Sequence, residues 1–130
     1  MIGIFDSGVG GLTVLRAIRE RMPSANVVYF GDTKNAPYGS RSREELSQFT
    51  AEGIRRLQAA GATSIVSAFN RVSASLAVSL FDMFDIVPGN LIEMVGPTVS
   101  YVKYATLPLT LWATPATITS GIDQVAFRRI

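Results

Sequence analysis

Apolar residues in this chain occur in two alternating forms: short unbroken runs, and longer segments with helical spacing. Residues 1–5, 26–31 and 64–67 each contain a run of the first kind, bounded by polar or turn-forming positions such as Asn26, Ser64 and Ser67, and they predict buried strands. Residues 12–22 place Leu12, Leu15, Ile18 and Met22 near one face, which predicts an amphipathic helix that Pro23 ends. Ser42-Arg43-Glu44-Glu45 has the form of a capping box. It predicts a second helix to about Ala60, with Leu46, Phe49, Ile54 and Leu57 mostly inward and Gly61 as its stop. Residues 73–84 predict a third helix and 107–112 a further strand. Thr114-Pro115 then predicts a final helix with proline at its first position.

Strands alternating with helices predict an α/β fold, three-layered around a mainly parallel sheet. Ligands of such sheets bind beyond the carboxyl ends of the strands, so chemistry is expected in the loops 6–11, 32–41, 68–72 and 113–117. The first loop is the most distinctive: Asp6-Ser7-Gly8-Val9-Gly10-Gly11 offers an acid, a hydroxyl and three glycines at a strand tip. Glycines there let the backbone approach a small anionic ligand closely. Two plainer readings stand beside that one. The glycines serve tight strand-to-helix packing, and Asp6 serves as a helix-capping acid. A dinucleotide fingerprint needs glycine where Thr13 stands, and a phosphate loop needs Gly-Lys-Ser/Thr, which is absent. In the second loop, Pro37-Tyr38-Gly39-Ser40 reads as a turn with an exposed aromatic.

Composition narrows the chemistry. The 130 residues are 48% hydrophobic and 17% charged, which reads as a globular domain and not as disorder. The net charge is only +2, and the arginines, Arg41, Arg43, Arg55, Arg56, Arg71, Arg128 and Arg129 among them, are scattered, so no nucleic-acid partner is expected. The chain has no cysteine and no histidine. Disulfides, zinc-type metal sites and thiolate or serine–histidine nucleophiles are therefore excluded within it. Carboxylates, hydroxyls, lysine, tyrosine and backbone dipoles remain. No basic segment precedes the first apolar run, which argues against a signal peptide, and the uncharged stretch 104–122 is interrupted by Pro108, Pro115 and Gly121. A cytoplasmic protein without a membrane partner is expected.

Taken together, the loops resemble a known family. Asp6-Ser7-Gly8-Val9-Gly10-Gly11-Leu12-Thr13-Val14, Tyr29-Phe30-Gly31-Asp32-Thr33, Ala36-Pro37-Tyr38-Gly39-Ser40-Arg41 and Thr114-Pro115-Ala116-Thr117 follow the order of the motifs of glutamate racemase, in the aspartate/glutamate racemase superfamily. The resemblance implies a racemase-like α/β fold, no cofactor, glutamate as the small dicarboxylic partner, and a place in D-glutamate supply for peptidoglycan. It implies residues 1–96 as a first domain and 97–130 as the opening strand and helix of a second, truncated against longer family members. Self-association into a homo-oligomer is left open. By the same resemblance, Asp6 supports the first catalytic thiol. Ser7, Pro37, Tyr38, Gly39, Asn70, Thr114 and Thr117 line the substrate with it.

The chain departs from the family at the reacting position. Where the family motif reads Ala-Cys-Asn-Thr-Ala-Ser-Ala, this chain reads Ala68-Phe69-Asn70-Arg71-Val72-Ser73-Ala74. Phe69 cannot carry a proton, and its ring is expected to project into a pocket sized for a small amino acid. The family's second cysteine has no counterpart here either, so no catalytic residue is intact and an inactive homologue is expected. A binding or regulatory homologue with a protein partner such as DNA gyrase, or the product of a decaying gene, are the alternatives.

Overall fold

The computed structural model describes residues 1–69, 89–106, 108–112, 118 and 121–128. Strands β1 (Ile2–Asp6), β2 (Val27–Gly31), β3 (Ser64–Ser67) and β4 (Leu91–Ile92) form one sheet in the order β2-β1-β3-β4, and every pairing is parallel. Helices α1 (Leu12–Arg21) and α2 (Arg43–Ala59) follow the first two strands, and α3 (Val95–Val102) and α4 (Ile122–Phe127) come later. The α/β expectation with a mainly parallel sheet is met.

β1 is central, with Ile4 and Phe5 almost wholly enclosed, as its unbroken apolar run requires. Both neighbours are in register with it: Ile4 lies opposite Tyr29 on one side and Val66 on the other. The capping box forms as expected. The Ser42 hydroxyl accepts from the Glu45 amide at 3.1 Å while the Glu45 carboxylate accepts from the Ser42 amide at 2.8 Å. α2 then buries Leu46, Thr50, Ile54 and Leu57, spaced along one face, in the core around Phe5. Each large aliphatic buried there contributes about 1.5–3 kcal/mol. At the far end, the Ala62 amide donates to the Leu57 carbonyl and the Gly61 amide to that of Gln58, a Schellman closure. Gly61 occupies the left-handed region with φ +92°, so the stop read at this glycine holds.

The helix read over 12–22 forms as α1, with its apolar stripe only partly covered, while the readings of the later segments need correction. Among Leu12, Leu15, Ile18 and Met22, only Leu15 and Ile18 are even half-buried. Leu12 lies in the first turn of α1, and Met22 lies one residue past its end, so the stripe overhangs at both extremities. The strand expected over 107–112 is absent from its described residues 108–112, where Leu109 and Trp112 are exposed. Pro108 has no amide to give a ladder, and β3 finds its outer partner in the two-residue β4. α3, which crosses residue 96, was not anticipated. Its first amides, Val95 and Gly96, are held by the Glu93 carboxylate, and Pro97 sits in its first turn, where a missing amide is tolerated. The helix expected over 73–84 and the start at Thr114-Pro115 lie outside the described residues. The described part of the final helix begins after Gly121. Among the described residues, no helix is long and apolar enough to cross a membrane.

Gly53 offers a test of the α2 seating. In an exposed helix a glycine-to-alanine change stabilises by about 1 kcal/mol. Here the added Cβ would lie 2.4 Å from Phe5 Cε2. Overpacking of that kind costs about 1–3 kcal/mol. Gly53→Ala should therefore lower the urea midpoint; a raised midpoint would mean that α2 is not seated on Phe5.

Candidate functional site

In a parallel sheet the carboxyl ends of all strands open on one side. The order β2-β1-β3 makes β1 the point from which the chain departs in both directions. Backbone bonds tie the three tips there: the Asp32 amide donates to the Asp6 carbonyl at 2.9 Å, and the Ala68 amide to that of Phe5 at 2.8 Å. The loops 6–11 and 32–41 and the residues Ala68 and Phe69 are thus brought together.

Asp6, the last residue of β1, is only 5% exposed. Burial penalises a carboxylate unless donors replace its water. Its Oδ2 accepts from the Gly8 amide at 3.1 Å, the Gly11 amide at 3.1 Å and the Tyr29 hydroxyl at 3.3 Å. No described residue donates to Oδ1. The Tyr29 hydroxyl also donates to the Gly8 carbonyl at 2.9 Å, pinning the loop to β2. Its phenol is pushed up to about 12, first by burial and then by the charge and hydrogen bond of Asp6. The packing role of the glycines is real but falls on particular positions. A Cβ on Gly11 would meet those of Ala68 and Asp6 at 2.9 Å, and one on Gly31 would meet the Gly8 carbonyl oxygen at 2.1 Å. Gly8 and Gly10 are uncrowded and do not need to be glycine for space. Asp6 holds the loop and the amide of Gly11, the residue that precedes α1, and not the free amides of the helix itself.

A second buried acid organises the next loop. Asp32 accepts from the Asn35 side-chain amide at 2.8 and 3.1 Å and from the Tyr38 hydroxyl at 2.6 Å. Tyr38 was expected at the surface and is instead 2% exposed. The Asp32 acceptor and the aromatic neighbours draw it in: its ring lies 5.7 Å from that of Phe49 and 5.1 Å from that of Phe69, the latter edge-on at 90°. Burial first, then the hydrogen bond to Asp32, then the charges of Asp32 and Asp6, hold its phenol far above the usual tyrosine range. Arg41 closes the loop, donating to the Asn35 carbonyl at 3.3 Å, pairing with Glu45 at 3.4 Å and lying over the Phe49 ring.

Of the other expected site residues, Ser7 is half-buried, and Pro37 and Gly39 are exposed on either side of Tyr38, with Pro37 following a cis peptide bond. Asn70, Thr114 and Thr117 lie outside the described residues. Tyr29, Asp32 and Asn35 were not singled out as site residues. Tyr29 and Asp32 stood in a recognised motif, but the signal that a strand tyrosine reaches the neighbouring strand's acid is carried only by the register. No group of three His, Cys, Asp or Glu residues able to hold a metal ion occurs among the described residues.

No protein-family model matches the chain. The glutamate racemase of Aquifex aeolicus is 41% identical over 128 residues, which are 98% of this chain and 50% of that protein. The solved glutamate racemase of Aquifex pyrophilus superposes with a TM-score of 0.89 at 36% identity, over 98% of this chain and 50% of its own. That of Francisella tularensis, solved in complex with D-glutamate, superposes with a TM-score of 0.84 at 31% identity, over 98% of this chain and 48% of its own. The chain spans about half the length of the curated relatives it matches.

The Asp6–Tyr29 pair has a measurable signature. The folded protein holds the Tyr29 proton more tightly than an unfolded tyrosine, whose ordinary value is 10.0. The stabilisation is therefore present below pH 10 and lost as pH rises toward 12. In an alkaline absorbance titration, one phenolate should emerge near pH 12 in the native protein and earlier in Asp6→Asn. An identical titration in the variant would separate the two residues.

Proposed function

The chain is a homologue of glutamate racemases that spans about half their length, and on that premise we propose that it binds glutamate at its strand tips and does not racemise it. The complex of the Francisella relative with D-glutamate supports the choice of ligand. So does the chemistry of the tips. Glutamate carries one ammonium and two carboxylates. The Asp6 carboxylate, with Oδ2 already held, offers Oδ1 to the ammonium. Asp32 is already held by Tyr38 and Asn35, so its charge is answered inside the protein. Ser7 and the loop amides that Asp6 does not hold, those of Val9 and Gly10, are suited to a carboxylate, and by the family resemblance Pro37 and Gly39 shape one wall. By the family resemblance, Asn70, Thr114 and Thr117 join these.

Racemisation removes the α-proton from one face of the carbon and returns a proton to the other, so two acid–base groups must flank it. The observation that carries the inactive reading is Phe69. It stands at the tip of β3, at the position that by the motif resemblance is the family's first cysteine, and its ring packs on Tyr38. The two tyrosines near the tips hold their protons more tightly than usual: Tyr38 donates to Asp32, and Tyr29 shares its one proton between the Gly8 carbonyl and Asp6. One general acid or base is worth about 10²–10⁴ in rate. A phenylalanine at the position of one carrier therefore costs turnover by at least that factor. This pseudoenzyme reading keeps residues 1–96 as the racemase-like domain that bears the cradle and 97–130 as the opening of a second. It also keeps the protein in the cytoplasm and denies this chain a direct share in D-glutamate supply.

Calorimetry on the full chain should show heat of binding with D- or L-glutamate. In D₂O, the α-proton signal of either enantiomer should not decay faster than in buffer. Phe69→Cys in this 130-residue chain should not change that, because the 130 residues hold no other cysteine and no histidine to oppose it. Decay above background in the unsubstituted chain would refute the inactive reading.

A further inference from the structure

Within residues 33–41, Tyr38 is the one buried residue; Asn35 and Arg41 are half-buried and the others exposed. The seat of the whole segment therefore depends on how that ring is held. Its hydroxyl is fixed from the β2 tip by Asp32 at 2.6 Å. The ring is flanked by Phe49 of α2 and by Phe69 at the β3 tip. The Phe69 contact has the better geometry, with centroids 5.1 Å apart and planes at 90°, the edge-to-face arrangement that aromatic quadrupoles favour. Phe69 itself is half-buried and packs against the core cluster that contains Tyr38, so it reaches the loop from the sheet side.

We propose that Phe69 is a positioning residue, whose ring holds Tyr38 and through it the 32–41 loop against the sheet. A side chain as short as a cysteine cannot make that edge contact. The position that carries a thiol in the family then serves here as an anchor for the neighbouring loop. The link to a ligand rests on the glutamate-binding reading above; the ordering of the loop does not.

Hydrogen exchange on the full, ligand-free chain tests this with two variants, Phe69→Leu and Phe69→Tyr. The Arg41 amide, which donates to the Tyr38 carbonyl at 3.2 Å, is a reporter inside the loop. The paired amides of β1 and β2 report on the core. Phe69→Leu should speed exchange at Arg41 and its neighbours about tenfold while the β1–β2 amides keep their protection, and Phe69→Tyr, which retains the ring, should behave as the unsubstituted chain. The anchor role is overturned if loop exchange in Phe69→Leu is unchanged. It is equally overturned if loop and core rise by the same factor, or if Phe69→Tyr loosens the loop as much as leucine does. Titrating the unsubstituted chain with D-glutamate in parallel keeps the two readings apart. Absence of binding heat with a loosened leucine variant removes the ligand and leaves the anchor. Binding with an unaffected loop does the reverse.

Discussion

The carboxylate of Asp6 is the constraint on which the strand tips depend. A charge at the end of the most buried strand can remain only if donors are brought to it, and the chain brings two backbone amides of the following loop and one phenol of the adjacent strand. Those donors in turn fix their own segments. Gly8 and Gly11 bend the loop back over the strand, and Tyr29 fastens it to β2. Close approach at Gly11 and Gly31 follows from this, since the loop lies directly on Ala68 and on β2. A fully buried apolar strand end could not have organised three segments in this way, because apolar contacts do not set direction.

Asp32 repeats the device one strand away with a different result. Its donors are side chains of its own loop, so it folds 32–41 onto itself and delivers Tyr38 into the core. The two acids divide the work by what holds them. Among the described residues, the donors to Asp6 all reach its Oδ2, whereas both oxygens of Asp32 are taken by Asn35 and Tyr38. Tyr38 in turn joins Phe49 of α2 and Phe69 at the β3 tip in one aromatic group.

Much of the first 69 residues was legible because their signals are redundant. Continuous apolar runs, a capping box and a stop glycine all point to the same boundaries. β4 was not, since two residues are too few for any periodicity and its place is decided by the edge that β3 offers. The apolar segment after Pro108 misled for the converse reason: strand-like composition without a partner makes no strand. At the site, Asp6 was legible from its neighbours in the chain. Tyr38 looked like a turn residue because Pro, Gly and Ser surround it, and only the acid six residues earlier explains its burial. Tyr29 was hidden inside a strand whose face could not be assigned without the register that aligns Asp6 with Gly31.

The parallel arrangement also makes the sheet depend on contacts between residues far apart in the chain. The carbonyl of Met1 accepts from the amides of Thr63 and Ser64, so the first strand is completed only by residues more than 60 positions later. During synthesis β1 can meet β2 soon after both emerge, but that pair exposes the β1 edge that β3 will occupy. α2 lies between the two events in sequence and covers Phe5 in space. Local helix formation, started at its capping box, shortens the search for the distant strand, since loop closure over so long a segment is the slow step for non-local pairings. The helix that covers the core is thus also the spacer that lets the sheet close.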